Sequence, residues 1–220
     1  MSGLRREGPV FVLQMDAGEN RFDPTMIGAW SAALDEVEEA DPPKALVTVG
    51  SGRFYSNGLD LEHGIASDDL GGYVQQVLAL YAKVLTLPCV TVAAINGHAF
   101  GAGGQITLAH DFRLMRADRG YFCMPEIDMG AFLHPGMTAI LRARLPEQTA
   151  HEMIVTGRRY GGLEAVEAGI VQRALPAEDL LPAAREIARG LAEKAKPVMR
   201  RLKADQYSGV LAALAAPLGD

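Results

Sequence analysis

Between Asn96 and Asp111 the chain reads "NGHAFGAGGQITLAHD", with four glycines and two alanines among the eight residues from Gly97 to Gly104. The first large polar side chain after them is Gln105. A segment stripped of side chains has its backbone N–H groups left for chemistry, and such groups hold anions and polarised oxygens. Three well-known motifs fail here on named residues. A dinucleotide fingerprint finds Gly101 and Gly103 but meets Ile106 where its third glycine belongs, and a P-loop needs Lys then Ser/Thr where Gln105-Ile106 stand. The nucleophile elbow G-x-S-x-G occurs nowhere in the chain. What is left is a strand-to-helix junction with open amides and a partial positive charge, suited to an oxyanion. On a purely structural reading, the same glycines permit close helix–sheet packing.

A second loop, "GRFYSNGLDL" (Gly52–Leu61), also follows a buried apolar strand, and its Asn57-Gly58 pair is turn chemistry. Two such loops, each at a strand end, can each give one N–H to the same oxygen. Glu126 and Asp128 stand together in "MPEIDMG". On residue type alone Glu126 reads as a surface or capping carboxylate. Asp128 shares its face if the segment is extended, and does not if it turns. His134, in "FLHPG", is an acid/base candidate that reads better as a structural histidine beside Pro135. His98 and Asn96 are placed to hold the turn before the glycines.

Hydropathy patterning supplies the elements that position these residues. "VFVLQM" (Val10–Met15), "ALVTVG" (Ala45–Gly50) and "CVTVAAI" are short, almost wholly apolar strands, and "FRLMRA" and "YFCMPE" read as further strands. Asp23-Pro24 marks a helix start, followed by Met26, Ile27, Trp30, Ala33, Leu34 and Val37 at helical spacing. Tyr73 to Leu85 carries a second apolar stripe. Beyond about residue 133 the pattern is helical, apart from a short apolar interruption at "GIVQRAL". Strands apolar on both faces, alternating with helices, imply an α/β sheet covered on both sides. A single domain over 1–220 is expected, with an α/β core to about 175 and a helical portion over about 176–220.

Composition narrows the function further. The net charge of −6 argues against nucleic acid, and the one basic cluster, "RRLK" at Arg200–Lys203, reads as helix-surface charge. No stretch approaches the roughly 18 apolar residues of a membrane span. Cys89 and Cys123 lack metal-type spacing and are expected to be buried free thiols, and the scattered histidines give no support for a metal. The N-terminus does not read as a secretion signal, and "PLGD" at the C-terminus is not a peroxisomal tripeptide, so a cytoplasmic location is expected.

Taken together, these segments resemble the crotonase (enoyl-CoA hydratase/isomerase) superfamily over nearly the whole chain. "RFYSNGLDL" is similar to its first oxyanion loop, "INGHAFGAGGQITLAHDFRLM" to its second loop with the following helix and strand, and "MPEIDMG" to the segment bearing its acid/base carboxylate. "TGRRYGGLEAVEAGIVQRALP" is similar to a downstream helix-turn-strand, and the closer likeness is to the short Δ3-Δ2-enoyl-CoA isomerase branch. The resemblance implies a spiral of ββα turns with a helical C-terminal portion and a homotrimer or hexamer. It implies an acyl-CoA thioester as substrate, with no separate cofactor because coenzyme A is part of that substrate. It also implies oxyanion donors at the backbone N–H groups of Leu59 and Ala102, and Glu126 as the catalytic carboxylate. Asn57, Gly58, Gly101, Gly103, Gln105, Phe132 and His134 would border the substrate, and Met124, Met129, Phe132 and Leu133 are candidates for an apolar wall. Relatives that hydrate an enoyl thioester commonly carry a second carboxylate at the position of Gln105, which cannot exchange a proton near neutral pH. The expected reaction is therefore the double-bond shift, with hydration and non-catalytic acyl-CoA binding as alternatives. No basic residue in "LDLEH" is available for the coenzyme phosphates. The apolar segment "GVLAALAAPL" could serve oligomerisation or pack on its own core.

Overall fold

The computed structural model describes residues 3–218; Gly219 and Asp220, which belong to the C-terminal "PLGD", lie outside it. Strand β1 (Gly3–Glu7) pairs antiparallel with β2 (Val10–Gln14), and helix α1 (Pro24–Glu39) leads to β3 (Ala45–Val49). Next come β4 (Phe54–Ser56), α2 (Leu61–Ala66), α3 (Leu70–Thr86), β5 (Val90–Ile95), β6 (His98–Phe100) and α4 (Ala102–Leu108). They are followed by β7 (Phe112–Arg116), β8 (Phe122–Cys123) and the short helix α5 (Glu126–Met129). The rest is α6 (Pro135–Arg144), α7 (Glu147–Thr156), α8 (Gly162–Glu167), β9 (Arg173–Leu175), α9 (Ala177–Leu191), α10 (Pro197–Gln206) and α11 (Ser208–Leu214).

The strands divide into two sheets, β1-β2-β3-β5-β7-β9 and β4-β6-β8, parallel throughout except at β1. In three successive turns the chain lays one strand in the large sheet and the next in the small one, then returns through helix. That is a spiral of ββα turns, the crotonase-like α/β fold. The segment "YFCMPE" departs from its expected strand: only Phe122–Cys123 pair, and the chain turns helical at Glu126. The reason is local. Pro125 has no N–H to donate to a ladder, and its fixed φ suits a helix start.

Large-sheet strands are apolar on both faces because both are covered. On one face Val10, Val12, Val47, Val92 and Leu114 pack against Leu180, Ala183, Ala184 and Ala188 of α9, whose small side chains let the helix lie close. On the other, Phe11, Leu13, Leu46, Ala93 and Ile95 join Trp30 and Leu34 of α1 and Val77, Leu78 and Tyr81 of α3. Asp23 caps α1 by accepting from Met26 N at 2.6 Å, with Pro24 in the first turn. In the C-terminal apolar segment, Val210 and Leu214 of α11 are buried in the chain's own core. The "RRLK" cations are likewise tied to neighbours: Arg200 to Glu38, Arg201 to Asp205, and Lys203 to Asp111 and the carbonyls of Leu87 and Cys89. Both cysteines are buried and free. Among the described residues no helix is long and apolar enough to cross a membrane.

A buried polar chain runs behind α4. His110 has its Nδ1 2.9 Å from Ile106 O and its Nε2 2.9 Å from Thr48 Oγ1, which lies 2.7 Å from the Tyr55 hydroxyl. A carbonyl can only accept, so Nδ1 carries the proton and Nε2 accepts from Thr48. Burial pushes the His110 pKa down to about 4 from 6.5. Between those values the unfolded chain takes up a proton that the fold refuses. Stability is therefore present above pH 6.5 and lost as the pH falls towards 4. The loss approaches about 1.4 kcal/mol per pH unit. Urea unfolding of the wild type and His110→Gln, at neutral and at mildly acidic pH, checks this. The variant is expected to be weaker at neutral pH but to lose less on acidification, and equal losses would exclude His110 as the source.

Candidate active site

The loops after β3–β4 and β5–β6 leave the sheets side by side. Gly58 (φ +85°) lies so close to the glycine-rich turn that a Cβ there would stand 2.8 Å from Phe100 O and 3.2 Å from Ala102 N. Gly101 (φ +49°) caps α4, and a Cβ there would stand 3.4 Å from Glu126 Oε1. The two loop backbones and the carboxylate thus converge on one point. A cleft of about 440 Å³ opens over it, bordered by Asn57, Gly58 and Leu59, by Phe100, Gly101 and Ala102, and by Pro125 and Glu126. Among the described residues no backbone acceptor takes the N–H of Leu59 or Ala102. A helix's first amides have no intrahelical acceptor, so the Ala102 N–H is free for a ligand.

Glu126 opens α5, half-buried, with its Oε2 enclosed and without a hydrogen-bond partner. Desolvation raises its pKa above the usual 4.5, with a backbone hydrogen bond pulling the other way. The carboxyl is thereby brought nearer the range where it can both take and return a proton. Asp128 also borders the cleft, but the helical turn separates it from Glu126: its Oδ2 lies 3.0 Å from the Cβ position of Gly157.

The structure brings Leu59, Ala102, Asn57, Gly58, Gly101, Glu126, Phe132 and His134 to this cleft. Asn57 is anchored by Glu19, its N–H to the carbonyl and its Nδ2 to Oε2, both at 2.9 Å. Phe132 is 98% exposed at the mouth, and Met129 lies beside it. His134 is buried with both nitrogens engaged: Nδ1 accepts from Gly136 N at 3.0 Å, and Nε2 lies 3.0 Å from Ala216 O. It caps α6 and offers the cleft no free nitrogen.

Two expected substrate neighbours stand elsewhere. Gly103 is pressed on β4, where a Cβ would meet Ser56 O at 2.3 Å, so no side chain fits and the residue serves packing. Gln105 is fully buried beneath the cleft, its Nε2 3.4 Å from Met124 Sδ and its Oε1 unpartnered, and it does not border the substrate space. The helix turns it inward. Met124 lies against Gly104 below the cleft and Leu133 packs on the core, so neither forms the wall. Asn96 does hold its turn, its Oδ1 accepting from Gly50 N at 2.8 Å.

Sequence reasoning missed Asn20, buried at φ 52°, whose Nδ2 donates to Phe54 O and Tyr55 O and whose carbonyl accepts from Ser56 Oγ. It also missed Arg21 and Arg159 on the cleft wall. The turn-rich "DAGENRFDP" was the one available signal for Asn20.

The cleft joins two glycine-bearing loop backbones to a desolvated carboxylate, a combination suited to an oxygen that gains negative charge beside a proton acceptor. Residues 5–216 match the model of the enoyl-CoA hydratase/isomerase family, and the chain belongs to that family of enzymes. It is 34% identical over 184 residues to the peroxisomal enoyl-CoA delta isomerase 2 of Arabidopsis thaliana, spanning 79% of this chain and 77% of that protein. Over 218 residues it is 32% identical to enoyl-CoA delta isomerase 3 of the same plant, spanning 95% and 87%. A Mycobacterium tuberculosis protein, described in one structure as an enoyl-CoA isomerase and in another as a probable enoyl-CoA hydratase, has the same fold, with TM-score 0.90 and 24% identity over 97% of this chain and 93% of that one in the first.

The division of labour among the glycines is open to test. Gly103→Ala drives a methyl into the Ser56 backbone and is expected to destabilise the fold by about 1–3 kcal/mol, read as a lowered Tm. An unchanged Tm would reject its packing role.

Proposed function

We propose that the protein is a Δ3-Δ2-enoyl-CoA isomerase. Glu126 removes a proton from C2 of a 3-enoyl-CoA, and the thioester oxygen takes up the charge as a dienolate held by the N–H groups of Leu59 and Ala102. Glu126, now protonated, returns that proton at C4. The double bond ends between C2 and C3, with no water added and no electron acceptor needed. A donor at an oxyanion site contributes about 10²–10³ in rate, most of it in the transition state.

One observation carries the reading: the Glu126 carboxylate lies against the glycine turn of the second loop, with an enclosed Oε2 that has no partner among the described residues. Gln105, in the place where a hydrating relative commonly carries its second carboxylate, is sealed beneath the cleft. The likeness to the two plant isomerases points the same way. A hydratase is the second reading, because Asp128 also borders the cleft and a water-activating pair is conceivable from Glu126 and Asp128. Its carboxylate faces Gly157, which favours the first reading.

Offered a 3-enoyl-CoA, the enzyme is expected to form the conjugated 2-enoyl thioester without mass change; offered a 2-enoyl-CoA, it is expected to add little water. Glu126→Gln should lose at least about 10²-fold in kcat while acyl-CoA binding and the fold persist. The acid limb of the kcat/KM profile should lie above the ordinary carboxylate value, because Glu126 must be ionised to act and burial raises its pKa. Retained turnover in the variant would sink the proposal, and a mass gain of one water on the 2-enoyl thioester would favour the hydratase.

A further inference from the structure

Neither donor loop fixes its geometry alone. Leu59 lies outside regular structure, and α4 begins at a glycine cap with no side-chain hydrogen bond. Yet an oxyanion site works only if both N–H groups already point at one oxygen before reaction. The peptide planes around each donor also take partners from outside the loop. On the first loop, Gly58 O accepts from Phe22 N at 2.8 Å, and Asp60 N donates to the Tyr73 hydroxyl at 2.8 Å. That same hydroxyl donates to Phe22 O at 2.7 Å, closing a bracket around Leu59. On the second loop, Gly101 O is held within α4 itself, accepting from Gly104 N and Gln105 N, and the outside partner is the Tyr81 hydroxyl, which donates to Ala102 O at 3.0 Å.

Both phenols come from α3. They stand eight residues apart on its buried stripe, with Val74, Val77 and Leu78 between them, about 12 Å along the axis. The stripe needs apolar rings there, which phenylalanine would supply equally well; the hydroxyls are what packing leaves unexplained. Burial raises the Tyr73 pKa to about 12 and lifts that of Tyr81 well above 10, so both remain donors at any working pH.

We infer that Tyr73 and Tyr81 are positioning residues of the oxyanion site, one hydroxyl for each donor loop, with α3 as the rigid spacer that fixes the distance between the two amides. Neither phenol touches the substrate. They act through Leu59 and Ala102, so their contribution belongs to the transition state rather than to acyl-CoA binding. The inference rests on the isomerase reading for its rate test, and a spectroscopic test stands apart from it.

Tyr73→Phe and Tyr81→Phe each remove one oxygen and keep the ring. In each variant kcat for a 3-enoyl-CoA is expected to fall about tenfold with KM changed less than about twofold. A 3-ketoacyl-CoA serves as the second probe, because its enolate absorbs in the near ultraviolet and needs the same two donors. Its affinity should persist while the bound enolate signal weakens. Unchanged kcat and enolate signal, with only Tm lowered, would reduce the phenols to core packing and overturn the inference. A wild type inactive on 3-enoyl-CoA but forming the bound enolate would sink the isomerase reading alone, and the enolate signals of the variants would still decide the role of the phenols. Absence of both turnover and enolate in the wild type would remove the oxyanion site and this inference together. If Tyr81→Phe fails to fold, Tyr73→Phe reads the same inference on the other loop.

Discussion

The structure turns on the close approach of two backbones, at Gly58 and at the Gly101–Ala102 turn. A Cβ on Gly58 would stand 3.2 Å from Ala102 N, tighter than side chains ordinarily allow. That approach puts the Leu59 and Ala102 amides around a common space, and it can exist only where side chains are missing. The surrounding fold exists to hold it. The spiral lays β4 and β6 next to each other in a small parallel sheet, so that loops leaving successive turns emerge as neighbours. Asn20 ties the preceding loop to β4, and Asn96 ties the end of β5 to Gly50. With so many hydrogen bonds directed at the same corner, the loops have little freedom to separate.

The carboxylate is set by an opposing demand. A group that exchanges protons must reach substrate, yet water would return its pKa to the ordinary range. Glu126 meets both conditions through its place at the start of α5, where Pro125 ends the strand and turns the chain. Burial is the leading cause of its shift. An enclosed oxygen without a partner costs folding free energy, about 1–3 kcal/mol for a polar group of this kind. The chain carries that cost in the cleft, while His110, Thr48 and Tyr55 in the interior behind it satisfy one another fully.

How much of this is legible in the sequence depends on the length scale of the pattern. Five-residue apolar runs such as "ALVTV" announce covered strands, and Asp23-Pro24 announces a helix start, because each repeats a physical requirement over several positions. The small sheet announces itself only at β8, within the longer run "YFCMPE"; β4 and β6 have three residues each, too few for any alternation. β1 is missed for another reason, being a mostly exposed edge strand with charged residues. The donor loops are readable because they lack side chains. Asn20, Tyr73 and Tyr81 are not, since their roles consist of single hydrogen bonds to distant carbonyls and amides.

Gln105 and Gly103 mark the limit of reading function from position. Residues in a glycine-rich turn look as if they all face the ligand, yet a helix turns about 100° per residue, so only some can. Ala102 faces the cleft; Gly103 is pressed against Ser56 on the other side, and Gln105 meets Met124 below. A glutamate at 105 in this setting would sit on a thioether sulfur with no cation near enough to appear among its contacts. It would therefore be neutral or would force the floor to open to water. The amide avoids the charge but leaves Oε1 without a partner, so the site is sealed at some cost.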